Sequence, residues 1–372
     1  MERDVGRNYR GLIILAASLA ISGSLRAQAG IPSDSLRPKG NSLVVLPYAY
    51  YTPETKFAFG VGGVYSFRSP EGAATERPSS LRLAMTYTQL NQIILALQPE
   101  IYLMEGRYYF AAFYGYYHYP NKFWGVGNST PDSAEERYEQ NDFESSTEVQ
   151  RRVWPGLNVG LRYQYQNMEV RDAAPDGTLR TGAIPGSRGG VASGLGVVIN
   201  HDTRDNVYQP SRGFYNRLSA VFYGDAIGSD FTFTVLGVDL RKYFPVFGSH
   251  VIALQTYDGF IVGDPPFQMM NTLGGSYEMR GYYKGRYRDK NMITFQGEYR
   301  VPVYWRFGAV GFAGVGDVAD DVTAFRLDQF KYSLGFGFRF MFDPRERINA
   351  RIDFGFGKGD NAGIYAMVLE AF

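Results

Sequence analysis

The sequence predicts an all-β fold, a transmembrane antiparallel β-barrel of 16 strands, from three observations. The 372 residues include 29 Tyr, 27 Phe and 44 Gly, which favour strands and the turns between them. Apolar and polar residues alternate over segments of about 10–14 residues, longer than the common strand length of about 5–6. After the N-terminus, no apolar run reaches the ~20 residues that a spanning helix needs.

The alternation decides which face of each strand meets lipid. It is clearest in residues 156–171, 292–301 and 348–356. In the second segment Phe295 falls on the apolar row and Glu298 on the polar row, and in the third Ile348 and Ile352 oppose Asp353. A cation on the lipid face near the midplane costs about 2–4 kcal/mol, so the apolar rows face outward and the charged rows line the interior. The alternative, a soluble β-sandwich, is disfavoured by strand length.

Sixteen such segments fill residues 41–372 and leave no room for a second domain. They begin near Leu43, Lys56, Ser80, Gln92, Arg107, Asn141, Gly156, Gly189, Gly213, Phe231, His250, Asn291, Phe307, Lys331, Ile348 and Gly363. An even number returns both chain ends to one side of the membrane, where short connections are the rule. We expect the longer connections, among them residues 119–140 and 262–290, on the outside, with the acidic stretch 132–142 solvated.

The N-terminus predicts export. Three arginines precede the apolar run 11–21, and the small-residue cleavage site Ala27-Gln28-Ala29 follows. We expect a signal peptide at residues 1–29, a short periplasmic lead-in at 30–40 and the barrel at 41–372. The alternative is an N-terminal membrane anchor. An exported barrel is expected in the bacterial outer membrane, in contact with lipid and lipopolysaccharide.

The composition gives little support to catalysis. Cysteine is absent, and the net charge of +1 does not favour nucleic-acid binding. His118, His201 and His250 share no metal-ligand spacing. His118 follows Tyr116 and Tyr117, which are typical of an aromatic girdle rather than of a serine–histidine pair. We therefore expect no enzyme activity, no metal and no cofactor.

Three stretches resemble one family of barrels. They are Leu273–Tyr282, with the triplet Arg-Gly-Tyr; the strand Gln296–Pro302; and the turn His201–Gly213. Together, in the order in which the chain carries them, they resemble the BamA/TamA superfamily of outer-membrane assembly and translocation barrels. Phe123–Asn128 is similar to another loop of that family. The resemblance is strong over the C-terminal half of the chain. The loop that carries the triplet joins strands 11 and 12 of 16, as the family requires.

The resemblance implies a latch formed by Met279, Arg280, Gly281 and Tyr282. The loop would fold back into the lumen, and Arg280 would pair with an acidic residue of the inner wall. The usual partner on strand 13 is replaced by Gly314, so Glu298 and Asp353 are the candidate luminal partners. Alternatively, Arg280 lies in an outer loop and binds solvent or lipopolysaccharide.

The implied function is outer-membrane biogenesis or protein transport. The family's periplasmic domains have no counterpart before residue 41, so we expect a separate periplasmic partner protein or a second copy of the chain to contribute. Pro47, which removes a ladder donor, lies either at a weak closing seam or at a rim. The alternative functions are a lipid hydrolase within the barrel and a simple plugged pore.

Overall fold

Antiparallel strands wind around one axis and close on themselves. The structure, a computed structural model, describes residues 41–67, 79–344 and 347–372. The signal peptide and lead-in predicted for residues 1–40 lie outside the described residues. Among those described, no helix is long and apolar enough to cross a membrane.

The described residues form eighteen strands, of which sixteen make the barrel. They are β1 (Ser42–Thr52), β2 (Lys56–Phe67), β3 (Ser79–Thr88), β4 (Ile93–Leu103), β5 (Tyr108–Phe123), β6 (Glu136–Trp154), β7 (Leu157–Ala173), β8 (Gly190–Asp202), β9 (Gly213–Tyr223), β10 (Phe233–Pro245), β11 (Val251–Gly263), β12 (Asn271–Leu273), β13 (Tyr287–Asp289), β14 (Asn291–Tyr304), β15 (Phe307–Ala319), β16 (Lys331–Asp343), β17 (Ile348–Gly357) and β18 (Ala362–Val368). The barrel runs from β1 to β11, then from β14 to β18 and back to β1, and β12 and β13 form a separate two-stranded sheet. The predicted barrel of 16 strands is confirmed.

The two faces of the wall differ as the alternation predicts. Phe295 is 51% exposed on the outer face, whereas Glu298 is 2% exposed on the inner face. Phe59, Leu161 and Phe338 are likewise exposed on the outside. The wall therefore presents an apolar surface outward and a polar one to the lumen, as a barrel in lipid requires.

The prediction for residues 119–142 holds for the middle of the range, where residues 124–135 form a connection with Asp132 exposed, and is wrong at both ends. β5 continues to Phe123 and β6 begins at Glu136, because the two strands stay paired without a break up to that point. Asp142 occupies an inward position of β6 and is therefore buried instead of solvated. Tyr117 also faces inward and donates a hydrogen bond to Glu144 at 2.9 Å, and only Tyr116 of this pair lies on the outer surface.

Ile348 was expected on the outer face and is fully buried. The pairing of β16 with β17 shifts register between Met341 and Asp343. This irregularity removes the first residue of β17 from the alternation, which holds from Ile352 onward. Such irregularities at strand ends cannot be read from a period of two.

The barrel closes through a short seam between β1 and β18. Among the described residues, the register of these strands holds one pair, Tyr51 with Ala366. Leu369 has a left-handed φ of 68°, and the chain then turns into the lumen. There Phe372 packs against Tyr243 and is 4% exposed. The part of β1 that includes Pro47 consequently has no register partner in β18.

Candidate functional site

The long connection between β11 and β14 fills part of the lumen. Residues 265–282 are all buried, and β12 and β13 pair within this connection to make a hairpin. Connections normally run over the surface. We call residues 264–290 the luminal hairpin. Leu273 and Tyr282 of the hairpin pack against Met292 and Val318 of the wall.

Arg280 joins the hairpin to two strands of the wall. Its Nη1 donates to Asp353 Oδ2 of β17 at 2.5 Å, and its Nη2 donates to Glu298 Oε1 of β14. The guanidinium carbon lies 3.6 Å from the centre of the Phe312 ring. Arg280 is 1% exposed. A planar, permanently charged fork suits this double contact, which a lysine could not make.

Gly281 and Tyr282 hold the hairpin against the next part of the wall. Gly281 has φ +118°, and a Cβ at this position would lie 2.9 Å from the backbone of Phe356. Only glycine fits such a conformation and such an approach. Tyr282 Oη donates to the carbonyl of Tyr332 at 2.8 Å and accepts from the amide of Lys358 at 2.7 Å.

The side chain of Met279 occupies the space beside Gly314, which stands where the family has an acidic residue. Gly314 lies in β15, the thirteenth strand of the barrel. Met279 is 1% exposed. A Cβ built at Gly314 would lie 3.0 Å from its Sδ. Gly314 stands opposite Gln296 in the register of β14 and β15, one inward step from Glu298. The acidic partners of Arg280 therefore lie on β14 and β17, and the site of the usual partner is filled by the methionine side chain.

The carboxylates that meet Arg280 belong to a larger buried network. Asp353 also accepts from Arg339 at 2.5 Å and from Arg351 at 2.6 Å. Glu298 also accepts from Arg300, and Glu370 accepts from Arg339 at 2.7 Å. The network consists of Arg280, Arg300, Arg339, Arg351, Glu298, Asp353 and Glu370. Removing one partner of a buried ion pair leaves an uncompensated charge and costs about 3–5 kcal/mol, so the network resists withdrawal of the hairpin.

The pattern of the Omp85 superfamily domain matches residues 66–366. The chain belongs to the Omp85 superfamily. This membership confirms the family resemblance and places the barrel in the bacterial outer membrane.

Two solved structures resemble this Omp85 barrel in fold. BamA from Haemophilus ducreyi lacking POTRA domains 1-3 superposes with a TM-score of 0.62 at 14% identity, covering 88% of this chain and 70% of that one. CdiB from Acinetobacter baumannii superposes with a TM-score of 0.58 at 13% identity, covering 88% of this chain and 59% of that one. No sequence among the curated proteins matches the chain.

A loop of the Omp85 barrel covers the outer end of the luminal hairpin. Residues 124–135 join β5 to β6, and Arg286 Nη2 of the hairpin donates to Asp132 Oδ1 at 2.6 Å and to the Thr130 carbonyl at 2.8 Å. The amide of Gly127 donates to the carbonyl of Arg288 at 2.8 Å. The sequence singled out this loop only as a family-like motif. The contacts show that this loop holds the luminal hairpin at Arg286 and Arg288.

The histidines of the Omp85 barrel lie apart from one another. His118 hydrogen-bonds Asn141 at 2.8 Å, His250 hydrogen-bonds Tyr299 at 2.6 Å, and His201 stacks edge-on against Phe214. In the described ranges there is no group of three or more His, Asp or Glu side chains that could hold a metal ion.

The residues that sequence reasoning missed are Arg300, Arg339, Arg351 and Glu370. The first three occupy inward positions of their strands, so the alternation contained a signal for their orientation. Their mutual contacts depend on which strands become neighbours around the barrel. Glu370 reaches Arg339 because the chain turns inward after β18.

Proposed function

We propose that this Omp85 barrel acts in outer-membrane biogenesis, assembling or translocating other proteins, and that it works with a separate periplasmic partner or a second copy of itself. The observation that carries the proposal is the seam. β1 meets β18 at one register pair, whereas neighbouring strands elsewhere pair along most of their length. A strand edge that is unpaired can accept another strand.

The luminal hairpin supports an assembly role over a simple pore. It fills part of the lumen and is tied to β14, β16 and β17 through Arg280 and Tyr282. We propose that Met279–Tyr282 acts as a latch that keeps the part of the wall beside the seam rigid. A large, stable open state in planar bilayers would favour the pore and count against this proposal.

A seam that can be locked at will tests the proposal. The chain has no cysteine, so the variant Tyr51→Cys/Ala366→Cys can form only the disulfide across the seam. We expect oxidation to lower the levels of client outer-membrane or secreted proteins and reduction to restore them. The control is Val197→Cys/Ala220→Cys, which joins β8 to β9 at a register pair far from the seam. Normal client levels with the seam locked would contradict the proposal.

The partner is tested separately by affinity capture from native membranes, with chemical cross-linking before solubilisation. A periplasmic protein recovered with the barrel, or a second tagged copy of the chain, is the expected result. Turnover of phospholipid by the purified protein would instead favour a lipid hydrolase.

A further inference from the structure

Within four residues, the luminal hairpin contacts β18 on one side of the seam and the β1–β2 turn on the other. On one side, the amide of Gly281 donates to Tyr365 Oη of β18 at 3.0 Å, and Tyr365 donates to the carbonyl of Tyr282 at 3.3 Å. On the other side, the amide of Lys284 donates to Glu54 Oε1 at 2.8 Å. Glu54 lies in the turn between β1 and β2.

Tyr365 and Glu54 are both fixed in position by the surrounding wall. Tyr365 is fully buried, and Glu54 is 7% exposed. The carbonyl of Glu54 accepts a hydrogen bond from Gln92 Nε2 at 2.9 Å, which ties the β1–β2 turn to the next turn of the barrel. Tyr365 lies one residue from Ala366, which makes the register pair with Tyr51.

The hairpin is not packed tightly against the inner side of the seam. A cavity of about 100 Å³ lies there, lined by Tyr50 of β1, Met367 of β18, and Glu54, Ser276 and Lys284 among others. The hairpin does not fill this space, and the hydrogen bonds of Tyr365 and Glu54 connect it to the two sides of the seam.

We propose that residues 281–284 form a clasp across the seam, with Tyr365 and Glu54 as its two holding points. The clasp keeps β1 and β18 together where their own ladder is short, and release of either point raises the open population of the seam. This inference deepens the proposed function, since it concerns how the seam is kept shut, but its test reads the seam itself and not the fate of any client.

The test uses the Tyr51→Cys/Ala366→Cys protein in lipid nanodiscs. A short oxidation pulse cross-links closed seams, and the fraction that escapes cross-linking reports the open ones. Tyr365→Phe removes one hydroxyl, and Glu54→Ala removes one carboxylate. We expect each to raise the escaping fraction about 3- to 10-fold, as the loss of one buried hydrogen bond implies, and the two together to multiply.

Two control variants separate a clasp from general loosening. Glu54→Gln keeps an oxygen that can accept from the Lys284 amide, so it should restore most of the closed population. Asp132→Ala removes the ion pair between Arg286 and the β5–β6 loop, which loosens the hairpin away from the seam, and it should leave the escaping fraction unchanged. The clasp is overturned if Tyr365→Phe and Glu54→Ala leave that fraction unchanged, or if Asp132→Ala raises it as much.

If either variant fails to fold, the seam disulfide is formed during refolding. A barrel that then regains heat-resistant mobility on gels supports the clasp, and one that stays unfolded overturns it. The clasp and the proposed function fail separately. Normal client levels with the seam locked remove the function and leave the clasp, whereas an escaping fraction that does not respond removes only the clasp.

Discussion

Gly355 of β17 leaves the space that the backbone of Arg280 occupies. A Cβ built at Gly355 would lie 2.6 Å from the Arg280 carbonyl carbon and 2.7 Å from its oxygen. The hairpin therefore lies directly on the backbone of the wall at this point. The ion pairs of Arg280 depend on that approach, because Asp353 is on the same strand, two residues away.

Gly355→Ala should weaken the seating of the hairpin. The added methyl group meets backbone atoms that cannot rotate away, and overpacking of this kind costs about 1–3 kcal/mol. The measurement is the urea midpoint of the folded barrel in detergent, followed by gel mobility. Gly311→Ala is the matched control, since a Cβ at Gly311 meets no atom within 4 Å. Equal midpoints for the two variants would contradict direct contact between hairpin and wall.

Arg280→Ala should lower the free energy of unfolding by about 3 kcal/mol or more, because two buried carboxylates each lose a partner. Arg280→Lys should recover only part of the loss, since an ammonium cannot reach Glu298 and Asp353 as a fork does. Arg326→Ala serves as the control: Arg326 forms a pair with Asp328 in which both side chains are more than 60% exposed, and such pairs contribute about 0–1 kcal/mol. Similar unfolding curves for Arg280→Ala and Arg326→Ala would argue against the latch.

Sequence alone was enough for the wall and for part of the site. The period of two placed Glu298 and Asp353 on the inner face, because burial of a charged row follows from the cost of exposing it to lipid. It could not place Glu370, whose position depends on a left-handed backbone at Leu369. It also misjudged Asp142, because an acidic stretch that belongs to a strand can have the same composition as a solvated loop.

Phe336→Arg should destabilise the barrel by about 2–4 kcal/mol, because Phe336 is exposed at the middle of β16, where the wall meets the centre of the bilayer. Phe247→Arg is the comparison, since Phe247 is 79% exposed in the turn between β10 and β11 and cations near the interface cost about 0–1 kcal/mol. Unfolding in lipid vesicles measures both. If the apolar face of the wall pointed away from lipid, Phe336→Arg would destabilise the barrel less than Phe247→Arg.

Asp205 should make the stability of the barrel depend on pH below about 4. It lies in the turn between β8 and β9 and accepts hydrogen bonds from the Ser211 amide at 2.8 Å and from Arg347 Nη1 at 2.9 Å. Burial alone would raise the pKa of Asp205, but the hydrogen bonds from Ser211, Arg212 and Arg347 outweigh it and lower the pKa to about 2.

The sign of the effect follows from that direction. A carboxyl whose pKa is lower in the folded state than its free value of about 3.9 stabilises the fold above that value. This stabilisation is lost as the pH falls from about 4 towards 2. Asp205→Asn, which cannot ionise, should therefore be less stable than the natural sequence at neutral pH, and the difference should shrink as the solution is acidified to pH 2. Urea midpoints of the two proteins between pH 2 and 6 measure it, and a difference that stays constant over this range would show that the charge of Asp205 does not stabilise the turn.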